Sequence, residues 1–170
     1  MTVEELLAKQ EIYELSCTYM RSLDRLDAAL RQSVFHDDAT VDYGFFKGSG
    51  RDFVDFAQRA LESHLANHHM IGQVHIDLQG DTAYGEVYFQ AFHRIVEKGE
   101  EKDLFISGRY LDRYEKRDGE WKIAFRSEIN DWSRTDPATD EFLKNAKDAL
   151  IGGRMPEDLS YHRDRWGSEP

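Results

Sequence analysis

The chain has 170 residues, a formal net charge of -11, and 40% hydrophobic and 12% aromatic residues. This is the composition of a globular chain with enough length for one sizeable core, and its acidity argues against nucleic acid and anionic membrane surfaces as partners. The single cysteine, Cys17, rules out an intrachain disulfide and fits a reducing compartment.

Met1-Thr2-Val3-Glu4-Glu5 lacks the basic flank and apolar core of a secretory signal. No apolar run approaches the length of a membrane span. A cytoplasmic protein is expected. Thr2 followed three residues later by Glu5 has the spacing of a capping box. Ile12, Leu15, Tyr19 and Leu23 then repeat at helical spacing, so a first helix should run to about Asp24. A short second helix carries Ala28, Leu30 and Val34. His36-Asp37-Asp38-Ala39 reads as a turn, and Thr40 to Tyr43 as a short strand stopped by Gly44, Gly48 and Gly50. Residues 51–66 read as a third helix with Phe53, Phe56, Ala60 and Leu61 on its inner face.

Beyond this point the period changes to two. Val74, Ile76 and Leu78 alternate with polar residues, and Gln79-Gly80-Asp81 is a turn. Val87, Phe89, Ala91, His93 and Ile95 share one face of a long strand. A charged loop over residues 97–101 leads to a strand from Leu104 to Tyr114. Arg117-Asp118-Gly119-Glu120 is a hairpin turn of the Asp-Gly kind, followed by a last strand from Trp121 to Trp132. Helices first and an antiparallel meander afterwards imply an α+β fold with a curved sheet wrapped around helices. The composition shifts after Trp132. Residues 1–135 should form the domain, and residues 136–170 a C-terminal helix (138–151, ended by Gly152-Gly153) and a polar tail. The tail from Arg154 to Pro170 is read as disordered or as an arm over a neighbouring subunit.

Five scattered polar residues carry the chemical interest: Asp24, Tyr43, His69, His93 and Arg126. A carboxylate able to orient an imidazole, a second imidazole, a phenol and a guanidinium can take a proton from carbon and expel a leaving group. Each also has an ordinary structural reading. Asp24 suits a helix end, with Asp27 as its rival for the next cap. His93 shares parity with the buried face and can be a satisfied core histidine. Tyr43 can be a half-buried tyrosine. Arg126 has the opposite parity to Trp121, Ile123 and Phe125, and exposure is its default. His64, His68 and His69 lie close together, but no His-Glu-x-x-His pattern or cysteine partner accompanies them. No metal site is expected: one histidine is the base and the others are surface residues.

The stretches Leu23-Asp24-Arg25-Leu26-Asp27, Asp42-Tyr43-Gly44-Phe45, His69-Met70-Ile71-Gly72, Gly85 with His93, and Asp118-Gly119-Glu120-Trp121-Lys122 resemble the SnoaL-like, nuclear-transport-factor-2-like (NTF2-like) superfamily, and within it the scytalone dehydratase group. The resemblance runs from about Glu5 to Trp132. It implies a cone in which N-terminal helices pack in the concave face of a curved antiparallel sheet. It implies a cofactor-independent dehydratase that removes water from a small, largely apolar hydroxy-carbonyl substrate. By position Asp24 supports His69, His93 works across the substrate, and Tyr43 polarises its carbonyl.

Leu23 replaces the group's tyrosine before the aspartate, and Gly108 and Tyr110 replace a serine and an asparagine, so scytalone itself is not implied. The chain is also similar to bile acid 7α-dehydratases through Tyr19, and to hexachlorocyclohexane dehydrochlorinase through Asp24, His69 and Arg126. Tyr19, Phe45 and Tyr110 are assigned to substrate binding. A homotrimer or homodimer packed through the sheet is implied, with Tyr84, Tyr88 and Phe92 on the contact face and the C-terminal region closing the pocket. The alternatives are a ketosteroid-isomerase or polyketide-cyclase type reaction, a non-catalytic binding module, and the small subunit of a ring-hydroxylating dioxygenase.

Overall fold

In the computed structural model, which describes residues 1–167, the capping box forms as its spacing predicts. Thr2 N donates to Glu5 Oε2 at 2.7 Å and Glu5 N to Thr2 Oγ1 at 3.2 Å, and α1 (Val3–Asp24) starts there. It ends in a sharp turn at Leu26, whose φ of 52° is left-handed backbone that a leucine rarely adopts. Burial of the Leu26 side chain and a bond from Gln58 Nε2 to its carbonyl hold that turn. Asp27 then caps α2 (Ala28–Ser33) by accepting from Leu30 N at 2.9 Å. Asp24 is thereby free of capping duty. No helix is long and apolar enough to cross a membrane among the described residues.

β1 (Phe35–Asp42) and β2 (Lys47–Ser49) form a hairpin. The expected turn at residues 36–39 is therefore strand, with Phe35, Ala39 and Val41 buried and Asp37 and Asp38 exposed where its register against β6 is broken. α3 (Gly50–Glu62) follows, capped by Ser49 and shorter than the span to residue 66. Phe53 and Leu61 are buried on its inner face together with Val54 and Ala57, whereas Phe56 and Ala60, expected there, are exposed where the cavity opens. β3 (Ala66–Gln79), β4 (Thr82–Glu97), β5 (Glu100–Arg117) and β6 (Glu120–Pro137) form the meander. The six strands run in the order β2-β1-β6-β5-β4-β3. All neighbours are antiparallel except β1 and β6. Helices α1 and α3 pack in the concave face of this curved, unclosed sheet, around Ile12, Leu23, Phe35, Val54, Val87 and Ile123.

Two bulges decide which side chains face the helices. In β3, Gly72 and Gln73 together oppose Tyr88, since Ile71 pairs with Phe89 and Val74 with Val87. The odd positions Asn67, His69 and Ile71 and the even positions Val74, Ile76 and Leu78 therefore all point inward. In β6, Ala124 is the unpaired residue, since Ile123 pairs with Tyr114 and Phe125 with Arg113. The inward parity switches there, and Arg126 enters the interior with no exposed surface. Its expected exposure is corrected by this one-residue slip.

The C-terminal region also differs from expectation. The helix over 138–151 is reduced to α4 (Glu141–Asn145). The described part of the tail packs on its own chain. Arg25 pairs with Asp158 at 2.7 Å and donates to Gly153 O at 2.6 Å, Tyr161 donates to Asp27 at 2.9 Å, and Arg154 caps the carbonyls at the end of α3. It covers the corner where α1, α2 and α3 meet. Among the described residues, none of this segment lines the main cavity, so it does not close the pocket. The last three residues of the expected tail, 168–170, lie outside the described residues.

Candidate active site

Asp24 stands at the last turn of α1 and His69 on the first inward stretch of β3. The turn at Leu26 and the bulge at Gly72–Gln73 bring them together. Asp24 Oδ1 accepts from His69 Nδ1 at 2.7 Å and from the His69 main-chain N–H at 2.9 Å. The side chains are only 6% (His69) and 12% (Asp24) exposed, so water competes little for this pair. With Nδ1–H bound to the carboxylate, neutral His69 carries its lone pair on Nε2.

His93 lies on β4, which pairs with β5 without a register shift, and its predicted inward parity holds. Its ring meets that of His69 edge to face at 5.0 Å. Burial first, then the neighbouring His69 and His64, push its pKa down to about 3. His93 is therefore neutral near pH 7. His64, expected on the surface, is half-buried with its ring 4.9 Å from that of His93. His68 does point the other way, into a groove on the outer sheet face. Among the described residues no three His, Cys, Asp or Glu side chains are arranged to hold a metal ion.

A cavity of about 230 Å³ opens between α1, α3 and the sheet. His64, His69 and His93 line it together with Leu104, and Tyr43, Tyr110 and Glu128 line it further along. Phe45, 68% exposed, stands at its opening and does not plug it. Phe92 lies on the other face of the sheet. Tyr43 is stacked on Phe53 at 3.9 Å, and its hydroxyl is 3.2 Å from that of Tyr19. Burial raises the Tyr43 and Tyr110 phenols well above their ordinary value, so both stay protonated as donors.

Arg126 does not reach the cavity surface. Its Nε and Nη2 form a two-pronged pair with Asp112, 2.7 Å each, and Tyr114 donates to the same carboxylate at 2.6 Å. The guanidinium lies in the corner between the Tyr19 and Tyr110 rings, 4.2 Å from each centroid, and these rings meet edge to face at 5.7 Å. Burial works against its charge, and the Asp112 carboxylate outweighs that effect.

Glu128 escaped the sequence reading for the same reason that Arg126 seemed exposed: both follow the Ala124 bulge. The adjacent buried pair Ile123-Ala124 is the signal of that slip. Burial raises the Glu128 pKa, against weaker opposing effects of Asn130 and Arg126. Asn67 also escaped, although it stands two positions before His69 and directly opposite His93 in register.

Helices held in an open, mostly antiparallel cone, with a cavity along its concave face, define the NTF2-like class. Residues 4–127 match the SnoaL-like domain, and the chain belongs to that family. None of the curated proteins matches it significantly. Among solved structures it is similar to a type 2 hexachlorocyclohexane dehydrochlorinase (LinA), with 19% identity over 80% of this chain and 93% of that one and a TM-score of 0.73. A candidate scytalone dehydratase from Novosphingobium aromaticivorans gives 23% identity, 81% and 93% coverage, and a TM-score of 0.71. A candidate aromatic ring hydroxylase from the same organism gives 20% identity, 82% and 97% coverage, and a TM-score of 0.66. At these identities the likeness is one of fold.

Proposed function

We propose that the cavity is the active site of a lyase of dehydratase type, working with the chain's own side chains on a small, largely apolar hydroxy-carbonyl compound. The observation that carries this reading is the Asp24–His69 pair, with its basic nitrogen free beside a second neutral imidazole in an apolar cavity. His69 Nε2 takes the proton from the carbon next to the carbonyl, and Asp24 pairs with the imidazolium that forms. Tyr43, braced by Tyr19, donates a hydrogen bond to the developing enolate oxygen. When the enolate collapses, the C–O bond to the β-hydroxyl breaks. The proton taken by His69 is returned to that oxygen, which leaves as water.

His93 is neutral and so does not supply this proton, contrary to one of its expected roles. It accepts a hydrogen bond from the substrate or from the water formed. Arg126 acts from behind, holding Tyr19 and Tyr110 in place without touching substrate.

A screen of β-hydroxy carbonyl compounds, read by mass spectrometry for loss of water, tests this reading. His69→Ala should abolish the loss while the fold survives. An isomerase is the second reading, favoured by one observation: Glu128 is a second acid–base group in the same cavity, its pKa raised by burial. A product of unchanged mass would select it. Assembly into a homo-oligomer through the outer sheet face, where Tyr84 is 48% exposed, is proposed with the same reading.

A further inference from the structure

Asn67 sits at the start of β3, 8% exposed, between two histidines. Its Oδ1 lies 2.9 Å from His64 Nδ1 and 2.9 Å from His93 Nδ1. Its Nδ2 donates to Leu61 O at a longer 3.5 Å. The reverse orientation of the amide would set two carbonyl oxygens against each other, so Oδ1 is the atom that faces the rings. That oxygen has lone pairs and no hydrogen. Both Nδ1 atoms must then be N–H donors, so the neutral form of each ring carries its lone pair on Nε2. Asp24 fixes His69 in the same tautomer. In water the isolated imidazole is free to exchange tautomers; here three are committed to one, and all three rings line the cavity.

We propose that Asn67 is a positioning residue that locks His93 and His64 in the Nδ1–H form, so that the histidine end of the cavity is a cluster of hydrogen-bond acceptors suited to a ligand bearing adjacent hydroxyl donors. The ligand class rests on reading this cavity as the substrate site, whereas the tautomer does not. The rings stand about 5 Å apart, close enough for a vicinal diol to reach two of them. A cluster of acceptors also disfavours an ether, which would set oxygen lone pairs against the ring lone pairs.

The experiment is a long-range nitrogen–proton correlation spectrum of the full ¹⁵N-labelled chain near pH 7, with His64→Gln and His93→Gln used for assignment. His93 and His64 should show an unprotonated Nε2 and a protonated Nδ1. Asn67→Leu should release His93 into a tautomer mixture, and Asn67→Asp, which keeps an acceptor, should restore the single form. Far-ultraviolet circular dichroism of each variant confirms the fold. Titration with catechol and with its dimethyl ether, 1,2-dimethoxybenzene, reads the ligand class. Catechol should bind about tenfold more tightly or better, as one or two hydrogen bonds allow, and Asn67→Leu should erase most of that ratio.

An Nε2–H tautomer for His93 in the unaltered protein, or an unchanged tautomer in Asn67→Leu, overturns the positioning role. Equal binding of catechol and its ether with the tautomers as stated overturns the ligand class. Absence of water loss from any β-hydroxy carbonyl compound, with both results intact, would count against the dehydratase reading alone.

Discussion

A single oxygen of Asp24 holds both the ring and the backbone of His69, at 2.7 Å and 2.9 Å. The carboxylate thus fixes the imidazole tautomer and the strand position from which the imidazole projects. Asp24→Asn keeps the shape and removes the charge. We expect it to lower turnover by about 10²- to 10⁴-fold, the worth of a well-placed acid–base group, and to cost about 1.5–3 kcal/mol through weaker hydrogen bonds. Steady-state kinetics and urea denaturation read the two effects separately. Unimpaired turnover in the variant would remove the Asp24 carboxylate from the mechanism.

His93 predicts a pH effect on stability. Its pKa is about 3 in the folded protein against an ordinary 6.5. Between these values the unfolded chain binds the proton and the folded one does not. The stability that goes with neutral His93 is therefore fully present above pH 6.5 and is lost as pH falls toward 3. From about pH 7 to about pH 5 the loss should be about 2 kcal/mol. His93→Gln should show a flatter stability profile over this range in urea titrations. Parallel profiles for the two proteins would mean that the imidazole is not held neutral.

Glu128 predicts the opposite sign. Burial raises its pKa in the folded protein. The folded state binds the proton more tightly, so the associated stability is present below the ordinary carboxylate range and is lost as pH rises through the raised value. Glu128→Gln carries no charge to bury. It should be more stable than the unaltered protein at mildly alkaline pH, and the advantage should shrink on acidification. Thermal melts across that range, with a difference independent of pH, would sink the idea.

The framework was legible in the sequence because most of its signals are local. The Thr2/Glu5 capping box, the Asp118-Gly119 turn and the parity of β4 each rest on residues close in the chain, and each is present in the structure. His93 was placed by parity because β4 carries no extra residue of its own: its ladder with β5 is continuous, and the bulge beside it belongs to β3. Arg126 was misplaced because one unpaired residue, Ala124, reverses the alternation, and a slip of one position exchanges the two faces of a strand. Glu128 was lost with it. Asn67 is a different failure. Its role exists only through contacts with a helix end and a neighbouring strand, and no local pattern records them. The tail was misread because its anchor is electrostatic: Arg25 and Asp158 are remote in the chain and look like surface charges until they meet. Hydrogen bonds from Ser160 above all, then from Gly153 and Arg25, outweigh burial and hold Asp158 well below the usual carboxylate range.

The Arg126–Asp112 pair offers the sharpest separation of stability from chemistry. Both side chains are without exposed surface, and Arg126 Nη1 has no hydrogen-bond partner. Removing one partner strands the other charge in a low-dielectric interior, so Asp112→Ala should cost about 3–5 kcal/mol. Replacing both with apolar residues of similar size removes the stranded charge. Arg126→Met combined with Asp112→Leu should recover most of that loss, with Tyr114 losing its acceptor as the remaining cost. If Arg126 only holds the Tyr19 and Tyr110 rings, the double variant should keep turnover within about tenfold while the single variants fail mainly by unfolding. A refolded, stable double variant whose turnover falls by about 10³-fold or more, the worth of a positioned charge at a developing anion, would show that the guanidinium acts electrostatically on the reaction through the aromatic wall.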